Sequence, residues 1–376
     1  MTVIHSIITL LLTGLYVLVM LYLITGWARL KHPPVKSNNF KTKVTILIAA
    51  RDEEEKIALT INDLLAQDYP KQLTEIIIVD DHSTDRTAEI ISSYASQGVR
   101  LLQLQEDQPL NSYKKKAIAT AIGLSTGDFM VATDADCRMG PEWLSSIISY
   151  YESGDFVMIS SPVTYFEERS LFEWLQTLEF SYLVAVGASY IGNNYASTCN
   201  GANFAYRKDV FYEVGGFKGI DDLASGDDEL LLQKVAQKYQ HRIGFLKSRD
   251  AIVYTHAKHT LKEFLNQRRR WASKSTKYKD KKIVGLAVGI WLFNVLLLIN
   301  GFLSFLGIHF FEVFLLQFII KFIFETAFLL PVNIFFKRAW LVGLLIILSP
   351  VHILYMFYVG IVGNTRKYVW KGRTVR

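Results

Sequence analysis

Phe129-Met130-Val131-Ala132-Thr133-Asp134-Ala135-Asp136 is the stretch whose reading decides the fold. A short apolar run that stops abruptly in carboxylates reads as a buried strand with its polar tip at one edge of a sheet. Gly140-Pro141 then turns the chain. Two carboxylates one residue apart at a strand end can share one hard divalent cation, whose free positions accept diphosphate oxygens. This is the only Asp-x-Asp in the chain.

Outward from that strand the pattern alternates. Residues 44–49 (Val-Thr-Ile-Leu-Ile-Ala) and 75–79, with Ile76-Ile77-Ile78-Val79, read as buried strands, and 99–104 as a third. Residues 55–67 carry Ile57, Ile61, Leu64 and Leu65 at helical spacing; 87–94 and 114–124 also read as helices, and Pro141 suits the first turn of another. Strand–helix alternation predicts an α/β domain with a mostly parallel sheet, whose ligands sit at the carboxyl ends of the strands.

Polar residues concentrate at those ends, and each has a structural reading beside the functional one. Asp80-Asp81-His82-Ser83-Thr84-Asp85 follows the second strand. It reads as a helix cap, by Ser83 or Thr84 with Asp85 at the dipole, and as carboxylates for a base or ribose. Arg51-Asp52-Glu53 follows the first strand in the same way. Lys114-Lys115-Lys116 opens a helix, either as a solvated face or to steer a diphosphate. Gly226-Asp227-Asp228-Glu229 precedes a Leu-rich periodic segment: an acidic first turn, or a carboxylate general base for a sugar hydroxyl. Gln267-Arg268-Arg269-Arg270-Trp271 reads as a membrane-flanking cluster, or as an arginine for a leaving diphosphate with a tryptophan for a sugar face. His256 and His259 have metal-like spacing but no carboxylate or cysteine set beside them, and are discounted as ligands.

The chain has 376 residues, of which 51% are hydrophobic. That excess is confined to four runs: residues 6–26, 283–308, 310–330 (apart from Glu312, Lys321 and Glu325) and 339–362 (broken by Pro350 and His352). Each is long enough to cross a hydrocarbon core of roughly 30 Å. The first has no basic n-region and no small-x-small site after it, so it reads as an uncleaved anchor. Arg29, Lys31, Lys36, Lys41 and Lys43 follow it, and Lys274 to Lys282 precede the second run, which places the intervening domain in the cytoplasm. Three later spans would put the basic tail, with Arg366, Lys367, Lys371, Arg373 and Arg376, on the opposite side, so one later segment is a re-entrant candidate. The net charge of +6 is mostly membrane-flanking lysine and arginine, and no basic stripe interleaves with aromatics, so nucleic acid is not an expected partner. Cys137 and Cys199 form neither a metal spacing nor a disulfide framework. Residues 171–190 read as an aromatic-rich amphipathic helix, equally suited to the interface or to a core.

Taken in order, these segments resemble the family 2 glycosyltransferases with a GT-A (Rossmann-like) fold. Val79-Asp80-Asp81-His82-Ser83-Thr84-Asp85 is similar to V-D-D-x-S-x-D, Thr133 to Asp136 to D-x-D, and Gln267 to Trp271 to Q-x-x-R-W. The segment 199–207 with Gly215-Gly216-Phe217 resembles the one lining the acceptor side of the donor sugar, and Trp370-Lys371-Gly372-Arg373 resembles tails of membrane-bound members. Tyr113-Lys114 stands where Gly-Lys is usual, and Asp227-Asp228 where Glu-Asp is common.

The resemblance implies an anchor (1–28), a catalytic domain (40–275), a membrane region (283–362) and a basic tail (363–376). It implies an inverting transferase that uses a nucleoside diphosphate sugar, with Mg²⁺ or Mn²⁺ on Asp136 and Asp134. Arg51, Glu53, Asp81 and Lys114 would bind the nucleotide sugar, with uridine the expected nucleoside, and Asp228 would be the base. Asn203, Gln267, Arg270 and Trp271 would serve acceptor and leaving group. A lipid, lipid-linked or glycan acceptor is expected, in a bacterial inner membrane with catalysis on the cytoplasmic side. Processive polysaccharide synthesis, or a silent nucleotide- or glycan-binding partner, are the alternatives.

Overall fold

The computed structural model describes residues 2–36, 39–106, 110–278, 280–362, 368–370 and 373–375. The chain divides into two compact units. One holds residues 30–168, 190–257 and 367–376, the other residues 1–29, 169–189 and 258–366.

In the first unit the expected alternation is realised. Strands β1 (Val44–Ala50), β2 (Thr74–Asp80), β3 (Val99–Gln103) and β4 (Phe129–Ala132) are separated by helices α2 (Ile57–Leu65), α3 (Thr87–Ser93) and α4 (Tyr113–Leu124); α1 lies in the other unit. β1 pairs in parallel with β2 and β4, and β2 with β3. β1 and β4 are almost wholly buried, and their β-branched and aliphatic residues suit a strand covered on both faces. After β5 (Arg138–Met139), α5 (Trp143–Glu152), β6 (Met158–Ser160) and β7 (Val163–Tyr165) come β8 (Phe204–Arg207), α7 (Lys208–Glu213), α8 (Glu229–Tyr239), β9 (Ile243–Phe245) and β10 (Val253–Thr255); α6 is described with the other unit. The main sheet has seven strands in the order β3-β2-β1-β4-β8-β6-β9. β8 runs antiparallel to β4 and β6, so the sheet is mostly but not wholly parallel. β5, β10 and β7 form a small second sheet.

Two local expectations change. The α3 terminus is capped by neither Ser83 nor Thr84: Asp85 Oδ1 accepts the Thr87 N–H at 3.0 Å, while Ser83 Oγ accepts the Asp52 N–H at 3.0 Å. The reach of Asp85 to the N–H of Thr87 satisfies a donor that the earlier hydroxyls are tied elsewhere to meet. The helix after Pro141 starts at Trp143, because the chain first makes a turn in which the Trp143 N–H reaches the Gly140 carbonyl at 3.2 Å.

The second unit contains α1 (Thr2–Arg29), most of α6 (Leu171–Gly192), α9 (Leu261–Ser273), α10 (Lys281–Leu303), α11 (Ile308–Phe335) and α12 (Leu345–Val362). Four helical segments here, 3–29, 281–306, 308–335 and 339–361, are long and apolar enough to cross a membrane. Their polar residues answer one another. His5 meets Asn300 at 2.7 Å, Asn300 donates to Gln317 at 2.7 Å, and Gln317 donates to Thr13 at 2.9 Å, which ties α1, α10 and α11. Lys321 and Glu325, which interrupt the third apolar run, pair with each other one turn apart and are buried. α6 is buried on most sides, with Gln176, Thr177 and Glu179 all inside, so it is a core helix rather than an amphipathic one.

The tail pairs β11 (Tyr368–Trp370) with β12 (Arg373–Val375). Arg366, Lys367, Lys371, Gly372 and Arg376, part of the tail reading, lie outside the described residues.

Candidate functional site: a carboxylate–ammonium cluster at the strand ends

The parallel register brings Ala50 beside Asp80, so the loops after β1 and β2 leave the sheet together. They are laced to each other. Arg51 donates to the carbonyls of Asp81 (2.7 Å) and His82 (2.9 Å), the Thr84 N–H reaches Asp52 at 2.8 Å, and the Glu53 N–H reaches Thr87 Oγ1 at 2.7 Å. Asp52 and His82 both take positive φ, 48° and 54°, a conformation unfavourable for residues other than glycine and held here by that lacing. Arg51 therefore shapes the rim through backbone carbonyls.

Asp80 and Asp81 lie at the floor of this loop pair and are buried. Asp80 Oδ1 has no hydrogen-bond partner among the described residues. A buried carboxylate oxygen with unused acceptor capacity at a strand tip is suited to a donor group on a ligand. Asp81 is engaged: His82 Nδ1 lies 3.1 Å away, and Arg373 of β12 donates to its two oxygens at 2.8 and 3.1 Å. The Arg373 guanidinium also sits over the Tyr113 ring, 3.9 Å from its centroid. Tyr113, where the resemblance leads one to expect glycine, thus provides an aromatic platform.

At the end of β4, Asp134 and Asp136 project from the loop. Lys114, in the first turn of α4, bridges Asp134 (2.7 Å) and Asp227 (3.1 Å). Burial works against the Lys114 charge, but Asp134, Asp227 and Asp228 outweigh it and raise its pKa. Asp136 has Lys56 Nζ at 4.0 Å. No set of three or more His, Cys, Asp or Glu side chains suited to a metal occurs among the described residues. The two carboxylates of the Asp-x-Asp leave coordination positions for ligand oxygens and solvent, and this donor set suits Mg²⁺ or Mn²⁺ bound together with a diphosphate.

Gly226, at a φ of 86°, turns the chain into Asp227-Asp228. Asp228 is the N-cap of α8: it accepts from the Glu229 N–H at 2.6 Å and from the Gly201 N–H at 2.8 Å. The capping reading of this acidic segment is realised, on the same carboxylate that the sequence offers as a general base. A β-carbon on Gly201 would lie 3.2 Å from the Asp228 side chain, so only glycine fits without pushing it.

Asn203 requires a correction. The resemblance places it on the acceptor side, but it is fully buried. Its amide nitrogen donates to Pro162 (2.8 Å) and Ala251 (2.7 Å), and its oxygen accepts from Trp143 at 3.0 Å. It locks β6–β8 and neighbouring loops and presents nothing to a ligand.

Gln267, Arg270 and Trp271 lie on α9, in the other unit. The buried cation of that segment is Arg268, which the motif passes over. It forms an ion pair with Glu179 of α6, donates to Gln267 at 2.7 Å and stacks on Trp271 at 4.3 Å. His256 packs on Phe166, and His259 Nδ1 lies 3.0 Å from Glu173.

Sequence reasoning also misses Lys115. It is 1% exposed, and its ammonium donates to the carbonyls of Ile220 (2.7 Å), Leu223 (2.6 Å) and Ser225 (2.7 Å). Burial lowers its pKa to about 8, against the opposing pull of Asp227, Asp228, Asp222 and Asp221. A signal is present, since Lys115 falls at i−3 and i−7 from Ile118 and Ile122 on the buried stripe of α4.

Residues 45–215 match the family model Glycosyl transferase family 2. This segment is a glycosyl transferase family 2 domain. Over 240 residues the chain is 31% identical to the Bacillus subtilis protein "Probable glycosyltransferase YdaM", an alignment that covers 61% of this chain and 54% of that protein. Identity to the beta-monoglucosyldiacylglycerol synthase of Synechocystis is 29% over 128 residues, 33% of this chain and 27% of the synthase. The chain therefore spans about half or less of these relatives' length. Among solved structures, the mannosyltransferase PcManGT of Pyrobaculum calidifontis, in complex with GDP-Man and Mn²⁺, superposes with a TM-score of 0.57 at 17% identity, covering 86% of this chain and 97% of that one. That likeness shows the fold alone: an α/β architecture with a mostly parallel sheet, like that of GT-A glycosyltransferases.

Proposed function

We propose that this chain is a membrane-bound inverting glycosyltransferase that moves a sugar from a nucleoside diphosphate donor onto a hydroxyl of a lipid or lipid-linked acceptor. The observation that carries this reading is the cluster of Asp134, Lys114, Asp227 and Asp228 at the carboxyl ends of the strands, where an α/β sheet binds its ligands.

Asp134 and Asp136 would hold Mg²⁺ or Mn²⁺, which when bound neutralises diphosphate charge. Lys114 adds a fixed positive charge on the same side. Asp80 and Asp81 offer carboxylate oxygens to the nucleoside, for which uridine is the expected form, with Arg51 and Glu53 on the loop above them. Asp228, held by two backbone donors, takes the proton of the acceptor hydroxyl. The acceptor oxygen then forms its bond to the anomeric carbon as the bond from that carbon to the diphosphate breaks, and the nucleoside diphosphate leaves with the electron pair. Attack opposite the leaving group inverts the anomeric centre.

A lipid acceptor is supported by two observations: the helices long enough to span a bilayer, and the likeness to a synthase whose name specifies diacylglycerol. Basic residues after the first apolar run support a cytoplasmic catalytic side. The test is nucleoside diphosphate release by purified protein given UDP-glucose, UDP-N-acetylglucosamine or GDP-mannose, with Mg²⁺ or Mn²⁺, with and without diacylglycerol. Donor- and metal-dependent release stimulated by the lipid, with a single-sugar product, is expected. A polymer product would move the assignment to processive synthesis, and no release with any donor would move it to a binding partner.

A further inference from the structure

The segment that leads into the base is tied to the start of α4. Residues 220–226 carry no helix or strand and lead directly into Asp227-Asp228. What grips them is the first turn of α4. Ser112 Oγ donates to the Leu223 carbonyl at 3.0 Å, Lys114 reaches Asp227 at 3.1 Å, and Lys115 donates to the carbonyls of Ile220, Leu223 and Ser225. An ammonium has three N–H donors, and all three are spent on backbone carbonyls. The same helical turn meets Asp134 through Lys114. α4 therefore joins the donor carboxylate to the segment that presents Asp228.

From this geometry we infer that Lys115 is the positioning residue of the catalytic base: its buried ammonium ties three carbonyls of segment 220–225 and so fixes where Asp228 stands relative to Asp134. The inference rests on the reading of Asp228 as the base. Burying an ammonium is expensive, and an aliphatic residue on this stripe would pack without that cost. The charge is warranted by what it orders, a loop whose carbonyls otherwise have one hydroxyl, Ser112, to meet them from this helix. Lys114 and Lys115 divide the work: one faces the ligand side and holds side-chain carboxylates, the other faces the core and holds main chain.

The experiment uses the full chain in detergent with UDP-glucose as donor, diacylglycerol as acceptor, and UDP for binding. Lys115→Met is expected to lower kcat by at least 100-fold, with the Kd for UDP within about 3-fold of the parent. Lys115→Arg, which keeps the charge, is expected to restore at least one tenth of parent turnover. In an Asp228→Asn background, Lys115→Met should change the residual rate less than 3-fold, because a residue that acts through the base has nothing left to position. A further 100-fold fall in that background would overturn the inference. Amide hydrogen exchange reads the grip by itself: Lys115→Met should speed exchange in 219–228 at least tenfold, whereas Asp228→Asn should not. Unchanged exchange sinks the role of Lys115. Faster exchange together with a fully active Asp228→Asn sinks the base assignment instead. If Lys115→Met does not fold, Lys115→Arg and Ser112→Ala carry the same exchange and turnover readouts, and parent values in both overturn the proposal.

Discussion

The two units bury charge in opposite ways. In the helical unit two buried cations are each matched to one carboxylate: Lys321 to Glu325, Arg268 to Glu179. In the α/β unit the charges at the strand ends are shared and left open on one side. Lys114 spans two carboxylates, Asp136 has a cation only at 4.0 Å, and Asp80 keeps an oxygen without a partner among the described residues. Closed pairs are what a low-dielectric interior tolerates, because an unanswered charge there costs several kcal/mol. Open clusters persist where a charged ligand completes them.

The sharpest break in this contrast is Asp228→Asn. An amide caps α8 nearly as well as a carboxylate but takes no proton, so kcat should fall about 10³-fold while UDP binding, measured by calorimetry, stays close to the parent. Equal loss of both would make Asp228 structural. In the closed class, Glu325→Gln strands Lys321 and should cost about 3–5 kcal/mol, read as a lower melting temperature in detergent. Replacing both, Lys321→Met with Glu325→Leu, should recover most of that stability. A double variant as unstable as the single would mean that the pair does more than neutralise itself. Gly201→Ala is a milder probe: its β-carbon would press on Asp228 at 3.2 Å, and kcat should fall about tenfold with donor affinity unchanged. A rate equal to the parent would show that Asp228 has room to move.

The smallest effect is in pH. Lys115 titrates at about 8, depressed from 10.5 by burial. Below that pH its three donors serve three carbonyls; above it the neutral amine has two. Turnover should decline a few-fold above pH 8, and Lys115→Arg should lack that decline. Stability should respond with the opposite sign. Folding expels a proton between pH 8 and 10.5, so this group's contribution to stability rises with pH across that window. A pH–rate profile beside melting temperatures of both proteins checks the two signs together. Asp227, Asp228, Asp222 and Asp221 resist its deprotonation, and Asp221→Asn with Asp222→Asn should move the decline to lower pH.

Much of the domain is legible along the chain, because its elements are specified locally. Ile76 to Val79 can be little else than a buried strand, and the tips after β1, β2 and β4 have to carry the polar residues. Asn203 misleads for a physical reason: an amide in a glycine-containing loop looks the same in one dimension whether it faces a ligand or satisfies Trp143 and two carbonyls. Arg268 hides among its neighbours because four residues of similar polarity sit side by side, and only packing against α6 selects which one turns inward. Lys115 reads with Lys114 and Lys116 as a charge run, although helical geometry sends the three to different faces.

By itself the sequence determined the α/β alternation, the four apolar helices, the strand tips that carry carboxylates and the resemblance to family 2. These are short-range properties, written in periods of two and 3.6 residues and in unbroken apolar length. Tertiary structure alone decided which charges are closed and which are open: that Lys115 holds a loop more than a hundred residues away, that Asp81 meets Arg373, and that Asp228 rests on Gly201. Those facts depend on segments distant along the chain meeting in space, and on whether a polar atom's capacity is used up there, which local pattern does not encode.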